Sequence, residues 1–283
     1  QGVSLLEDAG IAVARLTAEV LLSHAMGRER VYLYAHPERE LKDLEWLHYG
    51  RYLHERLQGK PTQYITKKQE FYGREFRVSP DVLIPRPETE VLVDAGLPAI
   101  DAAIAERGES LVADVCTGSG CVALAIAQER PESRVVATDI SPVAVEVAAE
   151  NAARLGVSER VDVREGDLLA PLPEELRGSL DLLVSNPPYV PSADVPDLPA
   201  EVAGFEPHLA LDGGADGLDV YRRLLREARG WLRPGTGLLA VELDERRVQQ
   251  AAAEALQWYE DVKVVSDLTG RMRIVTARLP KRS

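Results

Sequence analysis

The stretch LVADVCTGSGCVALAIAQER, residues 111–130, decides the fold. Its first six residues are a mostly apolar run with the look of a buried strand. Its last ten are rich in Ala and Leu and read as a helix. Between them lies DVCTGSG, residues 114–120, where Gly118 and Gly120 let the chain turn tightly and approach a ligand with backbone. The helix that follows presents free N–H groups at its start. A strand, a glycine turn and a helix in that order open a nucleoside-binding α/β sheet.

Outward from this unit the alternation continues. RVVATDI, RVDVREGD, a run within SLDLLVSNPPY, GLLAVEL, DVKVVSD and RMRIVTARL read as six further strands, with helices between most of them. Seven strands of this kind predict an α/β fold, a doubly wound, Rossmann-like and mostly parallel sheet whose ligand sits at the strands' carboxyl ends. Asp139 closes the second strand, 19 residues after Gly120, where a ribose-binding carboxylate belongs. GSGCVA also satisfies the G-x-G-x-x-A dinucleotide pattern, so the loop alone leaves a nicotinamide dinucleotide and S-adenosylmethionine both open. Asp167, at the end of the third strand, either binds an adenine amino group or caps the next segment.

Composition narrows the choice. The 283 residues carry 33 basic and 46 acidic side chains, a net of −13, which argues against gripping a long phosphate backbone. Residues 91–283 hold 20 basic and 32 acidic side chains and so −12 of that total, while residues 1–90 are nearly neutral. No apolar run is long enough to span a membrane. Two cysteines, Cys116 and Cys121, without ligand spacing, make neither a disulfide framework nor a metal site. No secretory signal is visible at the start, so a reducing cytoplasm is the expected compartment.

The charge shift divides the chain into residues 1–60, 61–90 and 91–283. The first part reads as a small helical bundle for substrate recognition, with Leu16, Val20, Leu21 and His24 on one helix face and Gly27 as its stop. Trp46, Tyr49, Leu53 and Leu57 form the face of a second helix ending at Gly59. Four of the five histidines lie here, but they follow the helix faces, so packing and solvation explain them. YITKKQEFYGREFRVS, residues 64–79, reads as a β-hairpin turning at Gly73-Arg74. VLIPRPETE, residues 82–90, has two prolines that forbid regular helix or central strand, which leaves a linker or a contact loop.

The loop's ambiguity is resolved further on, by Asn186-Pro187-Pro188-Tyr189 after the fourth strand. Pro187 pushes Asn186 out of the helical region, and both prolines fix φ and remove N–H donors. The patch offers acceptors, the Asn186 side-chain oxygen and the Pro187 carbonyl, to a planar NH₂ group with two hydrogens to place. Tyr189 offers a ring face for stacking. Holding both hydrogens steers a nitrogen toward methylation and serves no purpose in hydride transfer, so S-adenosylmethionine is the expected cofactor.

DVCTGSG, Asp139 and NPPY together resemble the amino-methyltransferases of the class I S-adenosylmethionine-dependent fold. With FYGREFRVSPDVLIPRPETE, SNPPYV and LALDGGADGLDVYR added, nearly the whole chain resembles the HemK/PrmC family of protein-glutamine methyltransferases. The resemblance implies methylation of the glutamine of the Gly-Gly-Gln motif in class I peptide chain release factors. It implies Thr117, Gly118, Ser119 and Gly120 in the cofactor loop, Asp139 on the ribose, and Asp167 or Leu168 beside the adenine, where relatives can carry an aromatic. Asn186 then serves cofactor and substrate, and Pro187, Pro188 and Tyr189 form the glutamine patch. Catalysis falls to Asn186, Pro187 and Tyr189.

Cys116 departs from the usual glycine of the family's D-x-G-T-G-S-G. A side chain there predicts an ordinary φ and crowding of the methionine moiety, with the thiol a small buried group rather than a reactive one. The substrate loop is expected to pass Arg86, Glu88 and Glu90 on its way to Asn186. Direct in-line transfer follows, with no covalent enzyme intermediate, no dedicated base and no metal. The enzyme is expected to be a monomer that touches neither nucleic acid nor membrane. The competing readings are an adenine methyltransferase on DNA or RNA, a sister glutamine methyltransferase acting on a ribosomal protein, a cofactor-binding protein without catalysis and, more distantly, a dehydrogenase.

Overall fold

The computed structural model describes residues 1–281. The chain forms two compact units: residues 1–68 with 199–205, and residues 69–198 with those from 206 onward.

The first unit is helical: α1 (Gly2–Asp8), α2 (Ala14–Met26), α3 (Arg30–Ala35), α4 (Asp43–Leu57) and α5 (Thr62–Thr66). Its core is Leu6, Ala14, Ala18, Leu21, Tyr49, Leu53 and Ile65. Gly27 ends α2 in the left-handed conformation that a glycine C-cap supplies. The buried face of α2 is Ala14, Thr17, Ala18 and Leu21, while Leu16 is exposed, so the apolar face is rotated from the one the sequence predicts. The reason is α1, whose Leu6 reaches the small residues of α2. His24 and His48 lie against Tyr52, at ring-centroid distances of 5.1 and 6.2 Å, and burial and nearby cations hold His24 below its ordinary value.

A hairpin follows, β1 (Lys68–Phe71) and β2 (Arg74–Arg77), which from residue 69 on belongs to the second unit. It turns at Tyr72 and Gly73, both at positive φ, the geometry that matches strand twist in a two-residue turn. The turn thus falls one residue before the position expected, and Tyr64 and Ile65 are helical rather than extended. A 3₁₀ turn at Pro87–Thr89 leads into α6 (Glu90–Arg107). That helix escapes a sequence reading because Pro98 sits inside it and prolines precede it.

The remaining elements are β3 (Ser110–Val115), α7 (Cys121–Glu129), β4 (Ser133–Asp139), α8 (Pro142–Arg154), β5 (Val161–Glu165) and β6 (Leu182–Ser185). After α9 (Ala200–Ala203), which belongs to the first unit, come α10 (Asp219–Glu227), β7 (Leu238–Glu242), α11 (Val248–Ala255), β8 (Glu260–Ser266) and β9 (Met272–Arg278). Seven strands pair in the order β5-β4-β3-β6-β7-β9-β8. Only β9 runs against the rest, so the sheet is mostly parallel as expected. Apolar clusters cover both faces, which is why β3, β6 and β7 are buried nearly throughout. Strand order reverses between β3 and β6, and that switch point is where an open α/β sheet leaves a crevice.

Candidate active site

A cavity of about 260 Å³ opens at the carboxyl ends of β3, β4, β5 and β6. The β3–α7 turn forms one wall. Asp114 is wholly buried; its Oδ2 accepts hydrogen bonds from Thr117 Oγ1 at 2.6 Å and from the Ala123 N–H at 3.0 Å. These bonds tie both ends of the turn to one carboxyl. Burial without a countercharge pushes Asp114 up to about 7.

Cys116, Gly118 and Gly120 all have positive φ, at 60°, 56° and 81°. Cys116 therefore does not adopt the ordinary φ expected of it. It keeps the glycine-like path and accepts the left-handed strain, because the turn it belongs to is pinned on both sides. Its thiol lines the cavity, and burial drives its pKa upward, the behaviour of an inert group. A Cβ on Gly120 would lie 3.2 Å from the Ala148 Cβ, so the glycine also sets how closely α7 meets α8.

Asp139 sits across from this turn. Its Oδ2 accepts from the Gly118 N–H at 2.9 Å and its Oδ1 from the Ser141 N–H at 3.0 Å. A carboxylate has about four acceptor positions, so ribose hydroxyls still find lone pairs there. Leu168 and Ile140 supply apolar surface to the cavity beyond it. Leu168 is placed by its own positive φ of 48° and by Thr138, whose Oγ1 donates to the Leu168 carbonyl at 2.8 Å. Asp167 also lines the cavity, but its carboxylate is paired with Arg223 at 2.7 Å, a partner the sequence did not announce.

The opposite wall is built from distant segments. Asn186 follows β6, donates from Nδ2 to Thr89 Oγ1 at 3.2 Å, and its Oδ1 is buried with no partner among the described residues. Pro188 lines the cavity, while Pro187 is buried and not among its lining residues. Tyr189 packs against the core instead of turning a ring face to the cavity, and its hydroxyl donates to Glu242 Oε1 at 3.3 Å. Behind the tetrapeptide, the Val190 N–H reaches the Leu211 carbonyl at 2.9 Å and the Gly213 N–H the Val190 carbonyl at 2.8 Å. A Cβ on Gly213 would come within 2.7 Å of the Pro188 oxygen, so only glycine admits this brace.

Of the charges in VLIPRPETE, Arg86 lines the cavity and is held by the buried Glu206 carboxylate. Glu88 is half-buried near Glu242 and Arg273. Glu90 accepts the Tyr72 N–H at 2.7 Å and so fixes the hairpin turn. Thr89, Ile140 and Arg223 are among the lining residues that the sequence reading did not single out. Ile140 had a signal, its place directly after the carboxylate that ends β4.

The sheet order, the glycine turn aimed at a strand-end carboxylate and the Asn-Pro-Pro-Tyr wall define an S-adenosylmethionine-dependent methyltransferase of the class I fold. The fold is shared with solved structures such as the N-terminal domain of human METTL16 in complex with SAH, with a TM-score of 0.52 at 15% identity over 73% of this chain and 76% of that one. Residues 1–66 match the PrmC N-terminal domain and residues 90–198 the methyltransferase small domain. The chain is 46% identical to the release factor glutamine methyltransferase of Moorella thermoacetica, over 98% of this chain and 95% of the relative. It is 42% identical to that of Koribacter versatilis, over 97% and 95%. The chain belongs to the release factor glutamine methyltransferase family.

The residues present suit S-adenosylmethionine. Asp139 would hold the ribose, Leu168 and Ile140 would flank the base, and the turn at residues 116–120 would cradle the methionine end.

Proposed function

We propose that the protein methylates the side-chain amide nitrogen of the glutamine in the Gly-Gly-Gln motif of class I peptide chain release factors. One observation carries this reading: Asn186 lines the cavity, its Oδ1 lacks a partner among the described residues, and the other end of the same amide is engaged. A buried acceptor left open calls for a donor, and a primary amide brings two hydrogens.

S-adenosylmethionine supplies an electrophilic sulfonium methyl when bound. Asn186 and the Pro187 carbonyl orient the glutamine NH₂ and draw its lone pair out of conjugation. Held by Asp139 and the turn at residues 116–120, the cofactor would supply that methyl in line to the oriented nitrogen, a C–N bond replacing the C–S bond whose electron pair would stay on sulfur. The displaced amide proton departs to water afterwards. Positioning and water exclusion do the catalytic work, with no covalent bond to the protein.

We read residues 1–60 as the substrate-recognition bundle, 61–90 as the linker and 91–283 as the methyltransferase domain, acting as a monomer in the cytoplasm. The acidic balance, with −12 of the −13 charges in residues 91–283, supports a protein substrate over a nucleic acid. Labelled S-adenosylmethionine is incubated with a release factor, its Gln→Ala variant and duplex DNA side by side. Label is expected in the intact release factor alone; label in DNA, or on the variant, overturns the proposal.

A further inference from the structure

The helical unit holds a cavity of its own, about 380 Å³, formed by α2, α4, the turn after α4, and α5 with the residue that follows it. That volume is in the range of small-molecule sites. Its charge is the reverse of the methyltransferase cavity's, which five aspartates and two arginines line. Here three cations, Arg51, Lys60 and Lys67, face one carboxylate, Glu55. Lys60 Nζ lies 2.7 Å from Glu55 Oε2, and Arg51 Nε lies 3.7 Å from Glu55 Oε1. Two cations thus share one carboxylate, and Lys67 makes no ion pair or side-chain hydrogen bond among the described residues. Two positive charges are left over, in a chain whose net is −13.

The third cation sits there against its backbone preference. Lys67 caps α5 at φ 61° and ψ 26°, the left-handed region where a glycine C-cap escapes the Cβ clash. A lysine bears a steric cost at that place, and outliers of this kind gather where ligands are clamped. His24 lines the same cavity half-buried, its ring 5.1 Å from that of Tyr52. Burial holds the imidazole below its ordinary value, and Lys68, His48 and Lys67 push in the same direction. His24 therefore senses the positive field of the cavity, which an arriving anion would offset.

Charge and hydrogen-bonding capacity then define the ligand. Ammonium and guanidinium groups only donate, so what meets them is an acceptor. A carboxylate brings one negative charge and leaves a cation over. A phosphate monoester brings about −1.5 to −2 at pH 7 with three acceptor oxygens, which matches the two charges left over. Arg51 is steadied for such a contact by its guanidinium lying 5.1 Å from the Tyr52 ring centroid. The cavity also has room for the group that carries the phosphate.

We propose that the cavity of the helical unit binds a small phosphorylated molecule, whose phosphate group is held by Arg51, Lys60 and Lys67. Nucleotides and sugar phosphates share that group and are its two sources. The site uses no residue of the methyltransferase cavity, so it stands or falls apart from the glutamine-methylation reading.

Inorganic phosphate, adenosine monophosphate and glucose 6-phosphate are each titrated into the whole chain at constant ionic strength, with chloride as the control, while the His24 ring signals are followed by NMR. A saturable shift is expected with each phosphate and none with chloride, and His24 should titrate at a higher pH when phosphate is bound. Lys67→Gln is expected to weaken phosphate binding about 10-fold, and Lys67→Arg, which keeps the charge, to retain it. Lys67→Gly removes the charge and the steric cost together; it should bind phosphate as weakly as Lys67→Gln, which separates loss of charge from loss of fold. Tighter binding of adenosine monophosphate than of the other two supports a nucleotide, and tighter binding of glucose 6-phosphate supports a sugar phosphate. Carriers that bind no better than inorganic phosphate contradict a phosphorylated molecule as the ligand. An equal His24 shift with chloride, no saturable shift with any phosphate, or unchanged phosphate affinity in Lys67→Gln and Lys67→Gly overturns the site.

Discussion

The two walls of the cavity are made in different ways. The cofactor wall is one continuous turn, residues 114–120, closed by Asp139, and it works through backbone N–H groups and left-handed φ values. The recipient wall brings together Thr89 and Asn186, 97 residues apart, with the Tyr189–Glu242 hydrogen bond in the packing outside the cavity, and it works through side-chain hydrogen bonds. A wall of backbone tolerates side-chain exchange as long as the path survives, and Cys116 in place of a glycine is such an exchange. A wall of side chains has no such tolerance. Removing a member should strike turnover on one side and affinity on the other.

The largest effect is expected from Asn186→Ala. Transfer should fall about 1,000-fold, while S-adenosylmethionine binding measured by calorimetry changes little. Substantial retained transfer would remove Asn186 from its role. Asp139→Ala should do the reverse, weakening S-adenosylmethionine about 10-fold to 100-fold while kcat at saturation stays near its starting value. A large loss of kcat in that variant would merge the two walls into one.

The difference in construction also explains what a reading of the sequence reaches. The turn and its partner Asp139 are local, since spacing along one βαβ unit dictates them, and the seven strands followed from alternation of apolar runs. Thr89 was invisible because its neighbours Arg86, Glu88 and Glu90 carry the charges that draw attention, yet Glu206 holds the first and Glu90 serves the hairpin. Glu242 reads as the end of an apolar strand, and only the β6–β7 register brings it to Asn186. Tyr189 has the ring expected, turned toward Glu242 and the core by packing that no spacing encodes. The rotated face of α2 has the same origin, since α1 lacks a periodic signature and still decides which side is buried.

A smaller effect tests the electrostatics of the cofactor wall. Asp114 titrates from an ordinary value of 3.8 up to about 7 in the fold, so the folded state keeps its proton where the unfolded chain has lost it. Stability should therefore decline as pH rises between about 4 and about 7, and burial of Asp139 and Glu242 adds in the same sense. Asp114→Asn should flatten part of that decline in thermal melts taken across this range. An unchanged slope would mean that the carboxyl is charged throughout.

The smallest effect belongs to Cys116→Gly, which relieves a left-handed residue at the cost of added freedom in the unfolded chain. A net gain of about 1 kcal/mol or less is expected, seen as a melting temperature higher by about 2 °C. A clear loss would show that the thiol's packing outweighs the strain.

The central claim is that the recipient wall presents an acceptor to a glutamine NH₂. Its most direct test is tandem mass spectrometry of a release factor after incubation with the enzyme and S-adenosylmethionine. A single methyl on the side-chain nitrogen of the Gly-Gly-Gln glutamine, absent when Asn186→Ala replaces the enzyme, is the predicted result. A methyl mapped to any other residue, or an unmodified release factor alongside methylated adenine in DNA or RNA, would contradict it.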